Sequence, residues 1–403
     1  MNLLHVTPYY APAWAFGGVV QAVTGLAEAQ AARGHRVTVQ TTDALDRSRR
    51  VSVREESIGG VRVLRRPNLL PGFLGRWNLS APLAFGLAVD RSLREDSVEL
   101  VHVHELRTLE NVLAAPGIRR VGTPMVVSPH GTLPYRTGRG FAKKMWDRTL
   151  GRRLISSIDQ VTCLTVTEAD DARWLWSSLG VPLGDDQIAV VPNGVKMTPP
   201  LPAEVRLALR KKWRLGTGPV VLFLGRLAKR KGLPLLVSAF ATLSQEFPNV
   251  RLLLVGPDEG SLPTLTGLVR HLGLQTRVTF TGLLTGEEKA EALAVSDLLV
   301  LPSTGEGLSM AALEALASGL PVILTEGQGF EAVTAAGAGL ITDPEVEPLA
   351  ETIRSLLADP PRCRLMGRLG REVASSTFSW SRIAAQMDEV YETVLRRKGR
   401  AGR

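Results

Sequence analysis

The chain of 403 residues is long enough for two domains, and its 44% hydrophobic and 22% charged residues are typical of a globular protein. Its net charge of +9 favours an anionic partner, such as a nucleotide phosphate or an anionic bilayer surface. The sequence shows no nucleic-acid-binding motif, no secretory leader and no apolar run long enough to cross a bilayer, and its two cysteines lie far apart. We therefore expect a cytoplasmic protein with no nucleic-acid partner.

The first half of the chain alternates short apolar strands with helical stretches, which predicts a parallel, doubly wound α/β sheet. Residues 2–7 form the first predicted strand, and a loop rich in proline and glycine then leads to Gly17 and Gly18. Paired glycines at a strand-to-helix turn let the backbone approach a phosphate or sugar closely. Both glycines are therefore candidate ligand contacts.

Histidines follow two of the next predicted strands. The strand predicted at residues 98–103 contains His102, and His104 follows it. Side chains two positions apart on a strand face the same side, so these two histidines permit a metal site. No third ligand is close in sequence, and we expect no metal. The strand at 126–128 leads to His130, which places an imidazole at the carboxyl edge of the sheet, where it could hydrogen-bond a sugar hydroxyl or a developing charge.

A basic stretch from Arg136 to Arg153 holds one acidic residue, Asp147. Its cations are Arg136, Arg139, Lys143, Lys144, Arg148, Arg152 and Arg153, interleaved with Phe141, Met145, Trp146 and Leu150. A basic amphipathic stretch favours peripheral contact with an anionic membrane, here the inner face of the cell membrane. The alternative is a solvated helix whose apolar side faces the core.

The proline-rich segment at residues 199–202 marks a predicted linker, after which a second strand-and-helix series begins. The strand at 219–224 runs into Arg226, and Lys231 follows at the next helix start. Two fixed cations at a strand end suit a diphosphate without a metal ion. The later strand-end loops that contain Gly256 and Leu284 could hold a base and ribose through backbone groups.

Residues 302–323 predict a strand-end loop, a helix and the next strand. Glu306 lies in the loop, facing a bound ligand, and Glu314 lies about a turn into the helix, where it can accept hydrogen bonds from hydroxyls. The backbone amides at the helix start offer an anion site, since the first N–H groups of a helix lack partners. The residues that supply them are Gly307, Leu308, Ser309 and Met310. An anion flanked by carboxylates indicates a sugar nucleotide.

Together these motifs resemble the retaining glycosyltransferases of family 4, which have the GT-B fold. The match rests on the spacing of Glu306 and Glu314 in an E-x7-E pattern, on Gly225-Arg226 with Lys231, on Ser128-Pro129-His130-Gly131, on Gly17-Gly18 and on Pro192-Asn193-Gly194-Val195. The resemblance covers essentially the whole chain. Ser309 departs from it, because the family often has glycine there, and a positive φ is less expected of serine.

The resemblance implies two Rossmann-like domains that face each other across a crevice. It assigns residues 1–198 to acceptor binding and residues 199–377 to nucleotide-sugar binding, and residues 378–403 to a helix that crosses back to the first domain.

It also implies roles for individual residues. Glu306 contacts the transferred sugar, Glu314 the ribose, Arg226 and Lys231 the diphosphate, and His130 lies beside the donor sugar. Gly17, Gly18 and Asn193 belong to the same motifs and complete the expected donor contacts.

The implied activity is metal-independent transfer of a sugar from a nucleotide-diphosphate sugar to a glycan or lipid-linked saccharide, with the donor as substrate and no cofactor. The motifs around His130 resemble those of enzymes that build exopolysaccharide or lipid-linked glycans. Three alternatives stay open: a sugar-nucleotide epimerase, a phosphorylase, and a non-catalytic protein that binds a sugar nucleotide.

Overall fold

A computed structural model describes residues 1–69, 80–135, 140–303, 307–325 and 330–401. For residues 400 and 401 it describes the backbone alone. It divides the chain into two compact units, one formed by Met1–Gly194 with Trp380–Arg403 and the other by Val195–Ser379. The first boundary lies four residues before the end of the predicted first domain, so the proline-rich segment belongs to the second unit. No described helix combines the length and the apolar character that crossing a membrane requires.

The sheet of the first unit has the strand order β3-β4-β2-β1-β5-β6-β7-β8. Only β3 is antiparallel, because it forms a hairpin with β4. The strands are β1 Asn2–Val6, β2 Arg36–Thr42, β3 Glu55–Ile58, β4 Val61–Arg66, β5 Leu100–His104, β6 Met125–Ser128, β7 Gln160–Cys163 and β8 Ile188–Val190. The predicted parallel, doubly wound sheet is confirmed.

Helices cover both faces of this sheet. They are α1 Gly18–Ala32, α2 Phe85–Glu95, α3 Leu109–Val121, α4 Gly140–Trp146, α5 Arg152–Ile155, α6 Val166–Ser178 and, at the C-terminus, α15 Trp380–Ala401; a π-helical turn, Asp147–Gly151, joins α4 to α5. Alternate residues of each strand face opposite sides, so that Leu4 and Val6 face one core while Leu3 faces another. The second of these cores lies under α1 and α15.

Helix α15 packs into the first unit through a tryptophan and an apolar stripe. Ile383, Met387 and Val394 are buried in the core under α1, as the helical spacing of apolar residues predicts. Trp380 lies against two glycines, since a Cβ atom on Gly25 would come within 2.2 Å of its ring and one on Gly194 within 2.5 Å. Glycine at both positions is therefore what lets the first turn of α15 dock.

The second unit has a six-stranded parallel sheet of order β11-β10-β9-β12-β13-β14. Its strands are β9 Val220–Leu224, β10 Arg251–Val255, β11 Val278–Gly282, β12 Leu298–Leu301, β13 Val322–Thr325 and β14 Gly339–Thr342. Its helices are α7 Ala203–Lys212, α8 Leu233–Glu246, α9 Leu262–His271, α10 Gly286–Val295, α11 Met310–Ala317, α12 Glu331–Ala335, α13 Val346–Leu357 and α14 Pro360–Thr377. All strands end at one edge, where ligands bind in parallel α/β sheets.

Candidate active site

Two cations lie at the carboxyl end of β9. The Arg226 guanidinium donates to Glu259 Oε1 at 2.7 Å, which holds an otherwise flexible side chain in place. Lys231 extends back toward the strand end, since its Nζ lies 3.9 Å from where a Cβ atom on Gly225 would be. The predicted pairing of these cations at one strand end is therefore observed. Glu259 was not among the predicted site residues, although its place in a glycine-rich strand-end loop was a usable signal.

Glycines bring the neighbouring strand-end loops of this unit into backbone contact. Gly256 has φ 147°, and a Cβ atom there would lie 1.8 Å from the Gly225 carbonyl oxygen. Gly232 has φ 65°, and its Cβ atom would lie 2.2 Å from the Pro302 carbonyl oxygen. The loops after β9, β10 and β12 are thus packed against one another. This packing alone requires glycine at position 256, which the sequence predicted as a ligand contact.

The loop after β12 leads into α11. Glu306 lies outside the described residues. Ser309 is the N-cap of α11, with φ −77° and ψ 121°, so the backbone at this position is extended and needs no glycine. Leu308 is buried, whereas Gly307 and Met310 are partly exposed. The N-cap side chain makes no capping hydrogen bond, and the first amides of α11 therefore remain suited to an anion.

Glu314 lies in the middle of α11, as predicted. Its Oε1 accepts a hydrogen bond from Lys289 Nζ of α10 at 2.6 Å, and both side chains are less than one-fifth exposed. This ion pair orients the carboxylate, which suits a group that must present its oxygens to hydroxyls. Leu284 lies in the loop between β11 and α10, partly exposed, where its backbone can reach a ligand.

The glycine pair of the first unit forms the N-terminus of α1. Gly17 is the N-cap, with φ 100° and ψ −156°, a conformation that side-chain-bearing residues rarely adopt. Gly18 begins the helix and is exposed. Asn193 is buried beside Gly194, at the place where Trp380 packs, so the structure gives this turn a packing role.

His130 follows β6 in a left-handed conformation, with φ 55°, and Gly131 continues the turn with φ 75°. The Glu168 carboxylate holds this turn, because its two oxygens accept hydrogen bonds from the backbone N–H groups of Gly131 and Leu164. A non-glycine residue in this region is strained and persists where its surroundings enforce it, typically at functional sites. Glu168 was not among the predicted site residues, because its bond to Gly131 joins positions that are distant along the chain.

A third histidine, distant in sequence, lies beside His102 and His104. His5 of β1 lies opposite His102 in the parallel pairing of β1 with β5, and one nitrogen of each of the three rings lies within 4.8 Å of the others. All three rings are buried, and each of their six nitrogens has a hydrogen-bond partner. A metal ion would have to displace these hydrogen bonds.

Burial keeps these imidazoles neutral. It lowers the pKa of His5 and of His130 to about 4, and it holds the pKa of His102 and of His104 well below the usual 6.5. In a desolvated site the charged form of an imidazole is penalised, which explains the direction of every shift. His130 therefore meets a substrate as a neutral group across the physiological pH range.

The basic stretch forms a nearly continuous helical segment, α4, the π-helical turn and α5, and Arg136 and Arg139 lie outside the described residues. Asp147 is buried, where it pairs with Arg107 at 2.8 Å and accepts from Tyr135 Oη at 2.8 Å. Lys143 turns inward and donates to the Pro134 carbonyl at 2.7 Å. The described part of the stretch thus presents no acid outward.

Comparisons with known proteins place both units in one class. A profile described as "Glycosyl transferase 4-like domain" matches residues 17–194, and one described as "Glycosyl transferases group 1" matches residues 205–373. The chain is 30% identical over 374 residues to a Mycobacterium tuberculosis protein, GDP-mannose-dependent alpha-(1-6)-phosphatidylinositol monomannoside mannosyltransferase, covering 88% of this chain and 89% of the relative.

Solved structures share the fold. A sucrose-phosphate synthase from Thermosynechococcus elongatus superposes with a TM-score of 0.76 at 24% identity, covering 98% of this chain and 99% of that one. Anabaena HepE in complex with UDP-glucose superposes with a TM-score of 0.74 at 20% identity, covering 98% of this chain and 100% of that one. Likeness at these identities concerns the fold alone.

We predict that the melting temperature falls as the pH is lowered from 7 to 5. Four imidazoles take up protons below about pH 6.5 when the chain is unfolded but stay neutral in the folded protein. They are those of His5, His102, His104 and His130. Burial raises the pKa of Glu110 to about 7, so this carboxyl binds a proton in the folded state and offsets one of the four. The unfolded chain therefore binds more protons than the folded protein as the pH falls, and each excess proton lowers the stability by about 1.4 kcal/mol per pH unit.

Scanning calorimetry across this pH range measures the effect. The matched control is His271→Gln, which changes an exposed histidine of the second unit and should leave the profile unaltered. A melting temperature that stays constant or rises on acidification would show that the buried imidazoles are not held neutral.

Proposed function

This chain belongs to the retaining glycosyltransferases of family 4, and from that premise we propose that it transfers a sugar from a nucleoside-diphosphate sugar to a hydroxyl of a glycan or lipid-linked acceptor without a metal ion. The observation that carries the metal-free mechanism is the pair of cations, Arg226 and Lys231, fixed at the end of β9. A diphosphate leaving group needs its charge neutralised, and two positioned cations can do this in place of a divalent metal.

In the proposed reaction the bond between the anomeric carbon and the phosphate oxygen breaks, and the acceptor hydroxyl oxygen bonds to the same carbon on the same face. Arg226, Lys231 and the first amides of α11 stabilise the charge that develops on the departing diphosphate. The proton of the acceptor hydroxyl passes to an oxygen of the leaving phosphate, so no side chain is required as a base.

We propose the remaining roles from the resemblance of these residues to the family's motifs. Glu314, oriented by Lys289, binds the ribose hydroxyls, and Glu306 contacts the transferred sugar. His130 contacts the same sugar, and Gly17 and Gly18 let the backbone approach the ligand. GDP and UDP are the first nucleotides to test, since the name of the mycobacterial relative contains GDP-mannose and the HepE structure contains UDP-glucose.

We predict that Arg226→Ala weakens binding of the matching nucleoside diphosphate about tenfold to a hundredfold, the contribution of one charge-assisted hydrogen bond. Thermal shifts with GDP, UDP and ADP, in the presence of EDTA, identify the base, because a ligand that binds the folded state raises the melting temperature. The matched control is Lys229→Ala, which removes an exposed cation of the same loop. Equal shifts in the parent and in Arg226→Ala would remove the proposed diphosphate site.

We also propose that the segment from α4 to α5 contacts an anionic membrane. Phe141 is 80% exposed, Met145 47% and Leu150 38%, so these apolar side chains do not face the core as the alternative interpretation required. The exposed cations beside them are Lys144, Arg148, Arg152 and Arg153. Exposed apolar groups interleaved with cations bind the interface of a bilayer that carries anionic lipids.

We predict that Lys144→Glu/Arg148→Glu binds vesicles containing phosphatidylglycerol at least tenfold more weakly than the parent, since each basic residue contributes roughly 1 kcal/mol at such a surface. Co-sedimentation with these vesicles and with pure phosphatidylcholine vesicles measures the difference. The matched control is Lys211→Glu/Arg270→Glu, which makes the same change of net charge on exposed residues of the second unit. Equal loss of binding in both variants would indicate a general charge effect and contradict a defined membrane surface.

A further inference from the structure

A continuous chain of buried hydrogen bonds leads from His130 into the interior of the first unit. Its first part joins His130 Nε2 to His104 Nδ1 at 3.0 Å, His104 Nε2 to His5 Nδ1 at 2.8 Å, His5 Nε2 to Gln30 Oε1 at 2.8 Å, and Gln30 Nε2 to Tyr391 Oη at 3.2 Å. Its second part joins Tyr391 Oη to His102 Nδ1 at 2.6 Å, His102 Nε2 to Ser128 Oγ at 2.8 Å, Ser128 Oγ to Thr162 Oγ1 at 2.5 Å, and Thr162 Oγ1 to the Val127 carbonyl oxygen at 3.2 Å.

The Val127 carbonyl sets the direction of every bond in this chain, because a carbonyl oxygen can only accept. The single hydroxyl proton of Thr162 must point to it, so Ser128 donates to Thr162. His102 then donates from Nε2 to Ser128, and its Nδ1 accepts from the Tyr391 hydroxyl. A neutral imidazole has one donor and one acceptor, so the direction passes through each ring unchanged.

Gln30 carries the direction from Tyr391 to the other histidines. Its amide nitrogen donates to Tyr391 Oη, so its carbonyl oxygen faces His5 and accepts from Nε2. His104 therefore donates from Nε2 to His5, and His130 donates from Nε2 to His104. The chain ends at His130 Nδ1, which is left without a proton. This nitrogen is buried and has no hydrogen-bond partner among the described residues.

We propose that this chain fixes His130 as the neutral Nε2–H tautomer, so that Nδ1 accepts a hydrogen bond from a hydroxyl of the substrate. The identity of that hydroxyl as one of the donor sugar rests on the function proposed above. Gln30 and Tyr391 are positioning residues, since they act on His130 through His5 and His104. The C-terminal helix α15 thereby contributes to the site through Tyr391.

Two further features of the structure agree with this assignment. An acceptor nitrogen repels anions, so His130 is suited to a sugar hydroxyl and unsuited to the diphosphate, which the cations of the second unit bind. Burial also lowers the pKa of each imidazole in the chain, and a protonated ring would break the alternation of donor and acceptor.

Long-range ¹H–¹⁵N correlation of the histidine rings tests the proposal directly in the full-length protein. The protein has six histidines, and single substitution of each assigns the signals. We expect His130 to show an unprotonated Nδ1 and a protonated Nε2 at pH 7. A protonated Nδ1 on His130 would overturn the proposal. This spectrum does not depend on catalysis, so it decides the tautomer even if the protein proves to transfer no sugar.

Tyr391→Phe tests the role of the chain. The variant removes the Oη atom that joins Gln30 to His102, so the amide of Gln30 can turn over and His130 should populate both tautomers. We expect kcat/KM to fall about threefold to tenfold, the contribution of one neutral hydrogen bond. Tyr10→Phe, which removes a buried hydroxyl from the same core outside the chain, is the matched control and should keep one tautomer and full activity. A single unchanged tautomer in Tyr391→Phe with parental kcat/KM would show that the chain does not position His130.

Discussion

Parallel strands all end at the same edge of a sheet, and the candidate functional residues of each unit depend on this constraint. In the second unit the loops after β9, β10 and β12 meet at that edge through backbone contacts that only glycine permits at positions 232 and 256. The contact holds Arg226 and Lys231 at fixed places relative to the start of α11. In the first unit the same edge carries His130, which a short turn enforced by Glu168 presents in a strained conformation.

The second constraint is that a polar group buried in a core costs stability unless it finds a hydrogen-bond partner. Four histidines lie in or beside the core under α1 and α15, where an unpaired imidazole would cost on the order of 1–3 kcal/mol. The structure satisfies them in one directional chain that ends in a single free acceptor. The stability of the first unit and the chemistry of His130 are thus linked, because the hydrogen bonds that make burial tolerable also select the tautomer.

Much of the fold could be predicted from local patterns. The alternation of apolar strands with helices predicted the parallel sheets, which the structure confirms. The positions of Arg226, Glu314 and His130 could be predicted because each lies just after an apolar strand or in a strongly helical segment, and that of Lys231 because it precedes the next helix. The departure at Ser309 is harmless, since the backbone there is extended.

What could not be predicted depends on pairings that are distant in sequence. His5 meets His102 only through the register of β1 with β5, and Tyr391 meets His102 through the docking of the C-terminal helix. Likewise, Asp147 stands alone among basic residues in the sequence, whereas in the structure it is buried and forms an ion pair with Arg107. From the sequence, Gly256 could serve either a ligand contact or close packing of two loops. The structure shows the close packing, against the Gly225 carbonyl oxygen.

The measurement that tests the central claim most directly is the anomeric configuration of the product. The protein would be incubated in EDTA with the nucleotide sugar that the binding panel identifies and with a saccharide acceptor, and the new glycosidic bond would be followed by ¹H NMR. The account predicts that the product keeps the anomeric configuration of the donor and that the chelator leaves the rate unchanged. An inverted product, or turnover that stops when the chelator is added, would contradict it.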